Sequence, residues 1–173
     1  WLYALSPKDP NALTKFLPDR YKGAIDYVEV RGRTKIVVRG QISEYIPNPT
    51  FDPIIVAGCL DPLFRGQIPE GVDPRTLMQT EPLRAEYQDR DRRIEVMDDQ
   101  GLDGVLLFPT LACGVEESLI GDVDATMATA TAFNRWLEED WGFAYQDRIF
   151  AAPMLSLADP EAAASEVDSL LER

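Results

Sequence analysis

The sequence predicts an α/β fold whose strands pair in parallel, and three observations carry that reading. Two short runs, Gly104–Pro109 (GVLLFP) and Ile149–Leu155 (IFAAPML), are apolar almost throughout, the pattern of strands covered on both faces. Around and between them lie three stretches with helical period. Helix, strand, helix, strand, helix in that order needs crossover connections, which join parallel neighbours. The pattern fits a piece of an α/β barrel or of an open α/β sheet, and no fixed-period repeat or low-complexity tract interrupts it.

The chain opens at Trp1 without Met, as a segment entered in mid-fold, and runs through the turn-rich SPKDPN before Ala12–Leu17, a short helix ended by Pro18. Residues 24–42 alternate and are rich in β-branched types: AIDYVEV, the turn RGR, then TKIVVRGQI, which predicts a β-hairpin. Residues 47–82 are dense in Pro and Gly, with apolar positions too scattered for either period. They predict an ordered excursion, a lid or a structural cover, that buries Phe51 and the apolar residues from Ile54 to Phe64.

Residues 86–173 are the βα units. Glu86–Gln100 places Ile94, Val96 and Met97 on a helix that stops before Gly101, a C-terminal glycine. Asp122–Asp140 spaces Met127, Ala130, Phe133, Trp136 and Leu137 for a long helix. Pro160–Leu171 predicts a third, with Ala163, Val167, Leu170 and Leu171 inward.

With 173 residues, 45% of them hydrophobic, the chain predicts one domain, 1–173, with a sizeable core. No apolar run approaches the roughly 18 residues that cross a bilayer, and the start lacks a signal peptide's basic and apolar regions, so a soluble, cytoplasmic protein without membrane association is expected. Net charge is −13; residues 1–50 hold eight Lys/Arg against five Asp/Glu, so the acidity lies downstream. That field repels phosphate backbones, and Arg90, Arg92 and Arg93 are interleaved with Asp89 and Asp91, which argues against nucleic acid as a partner. Cys59 and Cys113 stand in no metal-ligand or redox spacing, and with no His in the chain neither has the usual base of a cysteine nucleophile.

RDRRIEVMDDQGLDGVLLFPT (Arg90 to Thr110), then GVEESL, then AFNRWLEEDWGFAYQDRIFAAPMLSLADP (Ala132 to Pro160) resemble the amidohydrolase-related metalloenzymes, the group that includes aminocarboxymuconate-semialdehyde decarboxylase. Weaker similarity runs back through EYIPNPTFDP and the hairpin to ALTKFLPDRY. The resemblance implies part of a (β/α)8 TIM-like barrel, with Gly104–Phe108 as strand two, Ile149–Leu155 as strand three, and an inserted hairpin and loop. Trp1 falls at or beside the place of a strand-one metal histidine, and Arg173 in the helix before strand four, so the chain looks like a barrel cut on both sides. An open sheet edge of that kind implies a homo-oligomer or a completing chain.

The implied chemistry is hydrolysis or decarboxylation of a small carboxylate-bearing molecule, with a divalent metal, zinc first, as cofactor. No metal ligand is identifiable in the chain itself. The alternative is a family relative without the metal site, serving as a binding or assembly subunit. Under the barrel reading Thr110 and Leu111, beyond strand two, and Met154, Leu155 and Ser156, at the end of strand three, would shape the substrate pocket. Thr110 serves equally as a hydroxyl capping a turn, and Met154 as core or pocket wall. Trp136 reads as core, Arg135 with Asp140 as a tie to the following loop, and Asp147 with Arg148 as a salt bridge at the opposite end of the strands. Glu116 and Glu117 read as a solvated first helical turn, since adjacent carboxylates rarely converge on one atom. The Asp98–Asp99 and Asp122/Asp124 pairs lack the spacing of a calcium loop.

Overall fold

The computed structural model describes residues 9, 11–44, 53–109 and 112–173. The expectations for Trp1, most of the SPKDPN turn and Phe51 lie outside these residues. Helix α1 (Asn11–Thr14) is shorter than the predicted Ala12–Leu17. The chain leaves it through single turns, Phe16 N–H to Leu13 O and Leu17 N–H to Thr14 O, before Pro18, which has no N–H to continue a helix. Leu13 and Leu17 are nonetheless buried.

Strands β1 (Ile25–Val30), β2 (Arg33–Val38) and β3 (Gln41–Ile42) form an antiparallel sheet in that order. Its two tight turns share one chemistry: Arg31-Gly32 and Arg39-Gly40 both hold positive φ at both positions, 52° and 72°, then 51° and 76°. That primed geometry matches the twist of the flanking strands, and glycine is the residue that adopts it without steric cost. Ile25, Ile36 and Val38 fix the sheet to the core.

The next stretch carries β4 (Ile54–Ile55), α2 (Asp61–Phe64) and β5 (Thr80–Glu81), with β4 and β5 antiparallel. The expectation that its apolar residues are buried is corrected: Ile55, Leu63 and Phe64 are exposed, Phe64 at 80%. Elements of two to four residues, broken by Pro and Gly, present no continuous face to a core.

Helix α3 (Arg90–Gln100) begins four residues later than expected, because residues 85–87 make a separate 3-10 turn. Asp89 caps it, its carboxylate accepting from Asp91 N–H (2.9 Å) and Arg92 N–H (3.1 Å). At the other end Gly101 sits at φ 68°, with its N–H on Asp98 O and Leu102 N–H on Met97 O, the paired bonds of a Schellman end.

Strand β6 (Val105–Leu107) follows, then α4 (Ala112–Ser118), α5 (Val123–Asp140), β7 (Ala144–Tyr145), β8 (Ile149–Ala151) and α6 (Pro160–Leu171). β6 and β8 are parallel, Leu106 opposite Phe150, and β7 adds antiparallel to β8. Ile149 and Ala151 are buried in a core that α5 dominates through Phe133, Trp136 and Leu137. The other face is open, which corrects the reading of strands covered on both sides: Leu106 (56%), Phe108 (56%) and Phe150 (41%) are exposed. α6 likewise buries Ala163 but leaves Leu171 81% exposed. Among the described residues the sheets hold three, two and three strands, and none closes into a barrel.

Candidate functional site

The C-terminal ends of β6 and β8 lie side by side, tied past the strands by Ala152 N–H to Leu107 O at 2.9 Å. The segment after β8 is where polar side chains from three elements meet. Asn134 on α5 is fully buried and holds Met154 by both backbone groups, its Oδ1 accepting the N–H at 2.7 Å and its Nδ2 donating to the carbonyl at 2.9 Å. Nδ2 also reaches Glu166 on α6 at 2.9 Å, and Thr131 Oγ1 donates to the other Glu166 oxygen at 2.9 Å. One carboxylate therefore links α5 to α6 and orients the amide that positions the loop.

Two residues on, the Ser156 hydroxyl is 1% exposed and donates to Glu116 Oε1 on α4 at 2.5 Å. It also accepts from Ala158 N–H at 3.3 Å. Glu116 is thus no part of a solvated first turn; it lies near the C-terminal end of a helix of seven residues, half-buried, while Glu117 is exposed. Around this pair is a half-open cavity of about 230 Å³ with Ile120, Val123 and Leu157 as apolar walls. A broader apolar groove of about 730 Å³ runs on the other side of the loop, between Leu106, Phe143 and Leu155 and the α6 residues Val167, Leu170 and Leu171.

Of the residues expected to shape a pocket, Met154 packs its side chain into the core, Leu155 lines the groove and Ser156 lines the smaller cavity. Thr110 and Leu111 lie outside the described residues. Trp136 is core, and its indole N–H, without a hydrogen bond of full geometry, lies close enough to Asp140 to favour that carboxylate's charged form. Burial is the larger effect and pushes the Asp140 carboxyl up. Arg135 is exposed on the outer face of α5. Arg148, before β8, donates to Asp98 Oδ1 (2.6 Å), Leu102 O (2.7 Å) and Asp103 O (3.0 Å), fastening the end of α3 to the N-terminal end of the sheet. Far from this region burial, and more weakly Asp9, push the Tyr27 hydroxyl well up.

Sequence reasoning missed Glu116 and Asn134 as partners of this loop. Neither spacing nor periodicity signals them, since the partners lie 40 and 20 residues away. Among the described residues no group of three or more His, Cys, Asp or Glu is placed to hold a metal ion, and no helix is long and apolar enough to cross a membrane.

No protein-family model matches the chain, and no curated protein matches it. Among solved structures it is similar to the crystal structure of an amidohydrolase from Mycobacterium avium subsp. paratuberculosis K-10, with 51% sequence identity and a TM-score of 0.88. That similarity covers 94% of this chain and 43% of the other, so the chain spans less than half the length of the protein it matches. Half of all residues shared along nearly the whole chain, on one backbone course, assigns the lineage: the chain belongs to the amidohydrolase-related family.

Proposed function

We propose that this chain is a portion of a metal-dependent amidohydrolase-family enzyme that hydrolyses or decarboxylates a small carboxylate-bearing substrate. The observation that supports it is the 51% identity to an amidohydrolase over 94% of the chain. In this reading β6 and β8 are strands two and three of a (β/α)8 barrel, and the exposed row Leu106, Phe108 and Phe150 faces its interior. The loop after β8, with Ser156, and the stretch at Thr110 and Leu111 then border the substrate at the C-terminal ends of the strands. Further strands, supplied by a longer polypeptide or by a completing chain of a cytoplasmic oligomer, would cover the open face.

The family's divalent metal does not fit the residues present. A zinc site needs converging nitrogen, sulfur or carboxylate donors, and this chain has no histidine and, among its described residues, no such cluster. The role argued for this chain is therefore positional. Asn134 and Glu116 hold the loop that carries Leu155 and Ser156, and the exposed apolar surface beside them would exclude water once further strands cover it.

The test uses the natural polypeptide that contains this sequence, purified without chelators. Stoichiometric metal, together with chelator-sensitive release of carbon dioxide or of amine from small carboxylated substrates, supports the reading. A metal-free, inactive polypeptide that co-purifies with a partner favours a second one, a binding or assembly subunit of the same family. The absence of histidine and the uncovered Leu106/Phe150 face are what favour that alternative.

A further inference from the structure

We propose that the cavity beside Glu116 and Ser156 is a binding site for a small primary ammonium with a short aliphatic body. The inference does not rest on the proposed metal chemistry, because every group it uses lies in this chain. Ser156 is buried, its proton committed to Glu116 Oε1 and its oxygen to Ala158 N–H, so it cannot turn to greet a ligand; its effect is to fix the carboxylate. Among the described residues Glu116 Oε2 receives no donor. It remains an oriented acceptor, half-buried, at the wall of a cavity of about 230 Å³.

The other polar groups nearby are already spent on structure. Thr126 Oγ1 bonds backbone oxygens, Asp122 O at 3.0 Å and Leu119 O at 3.3 Å. Asp122 Oδ1 caps α5 through Ala125 N–H at 3.1 Å, and its second oxygen lies 3.8 Å from Arg39. Among the described residues the side chains lining the cavity therefore offer an anionic acceptor and no free donor, which favours N–H⁺ groups over carboxylates. Ile120, Val123 and Leu157 supply walls that an alkyl chain can cover, and the half-open mouth leaves the remaining ammonium protons in water. A net charge of −13 draws cations toward the protein in any case; the fixed carboxylate and the apolar walls are what make this place selective.

The experiment is a titration of the natural polypeptide with n-butylammonium chloride, followed by methyl NMR signals of Ile120, Val123 and Leu157. Saturable shifts of these methyls are expected, with 1-butanol and butyrate giving none at equal concentration. Glu116→Gln should weaken binding at least about tenfold, the loss of a charge-assisted bond. Should that variant fail to fold, Leu157→Arg replaces an exposed residue at the mouth and should repel the ammonium to a similar degree. Absence of saturation by butylammonium, equal saturation by butanol, or undiminished binding in folded Glu116→Gln or Leu157→Arg would overturn the proposal.

Discussion

Asn134 grips Met154 as a strand neighbour would, accepting its N–H at 2.7 Å and donating to its carbonyl at 2.9 Å, although it sits 20 residues earlier on a helix. β8 ends at Ala151, so the backbone at Met154 has no ladder to join, and both of its polar groups are buried against α5. A buried amide left unpaired loses its hydration without compensation. The side chain of Asn134 supplies the missing ladder.

Asn134→Ala should therefore destabilise the protein by about 3 kcal/mol, two buried backbone groups being orphaned at once. Asn134→Asp should cost no less: it keeps the acceptor for Met154 N–H but sets a carboxylate against Met154 O and Glu166. Urea unfolding at unchanged m-value measures both. A loss below about 1 kcal/mol for both variants would mean that the loop re-pairs elsewhere.

Arg148 invites the corresponding test at the other end of the sheet. Its guanidinium serves Asp98 and two backbone carbonyls together, a geometry that a lysine ammonium cannot span. Arg148→Lys should cost about 1–2 kcal/mol, whereas Asp98→Asn, which keeps an acceptor oxygen but removes the charge of a side chain that is 61% exposed, should cost under about 1. Equal losses in thermal unfolding would indicate that the ion pair, not the carbonyl contacts, fastens α3.

The turns give a prediction of opposite sign. Arg31 holds φ 52° in a two-residue turn, where a β-carbon is strained and asparagine is tolerated. Arg31→Asn should stabilise by about 0.5 kcal/mol, read as a raised melting temperature. Gly101→Ala, at φ 68° with nothing within 4 Å of an added β-carbon, should lose about 1 kcal/mol from backbone strain alone.

These sites also show what the sequence made legible. Gly101 marked the end of α3, and the spacing of Phe133, Trp136 and Leu137 placed α5, because both signals are local. The apolar runs gave β6 and β8 and their parallel pairing, yet not the exposure of Leu106 and Phe150. A run of apolar residues says that a strand avoids water on both faces, and it does not say which neighbour provides the second cover. β7, two residues long, and α4, whose ACGVEES shows no helical stripe, carry too little pattern to be read. The site was least legible of all. Ser156 could be placed at the end of a strand, but its meeting with Glu116 depends on the packing of α4 against the loop after β8, and no local preference encodes that.

Asp140 yields a pH dependence whose sign follows from its surroundings. Burial raises its folded pKa above the ordinary 3.8, while the Trp136 indole and Lys15 oppose that shift and Glu139 adds to it. A carboxyl with a raised folded pKa binds its proton more tightly when folded. Its protonation thus favours the folded state, and the contribution is fully present below 3.8 and lost as pH rises through the folded value. Asp140→Asn, which stays neutral throughout, should match wild type at low pH and become the more stable of the two as pH climbs above 3.8. The difference should level off once the wild-type carboxyl is fully ionised. Unfolding free energies measured across that range test this directly: curves that diverge toward acid instead would mean that Lys15 and the indole outweigh burial, and that Asp140 is stabilised as an anion.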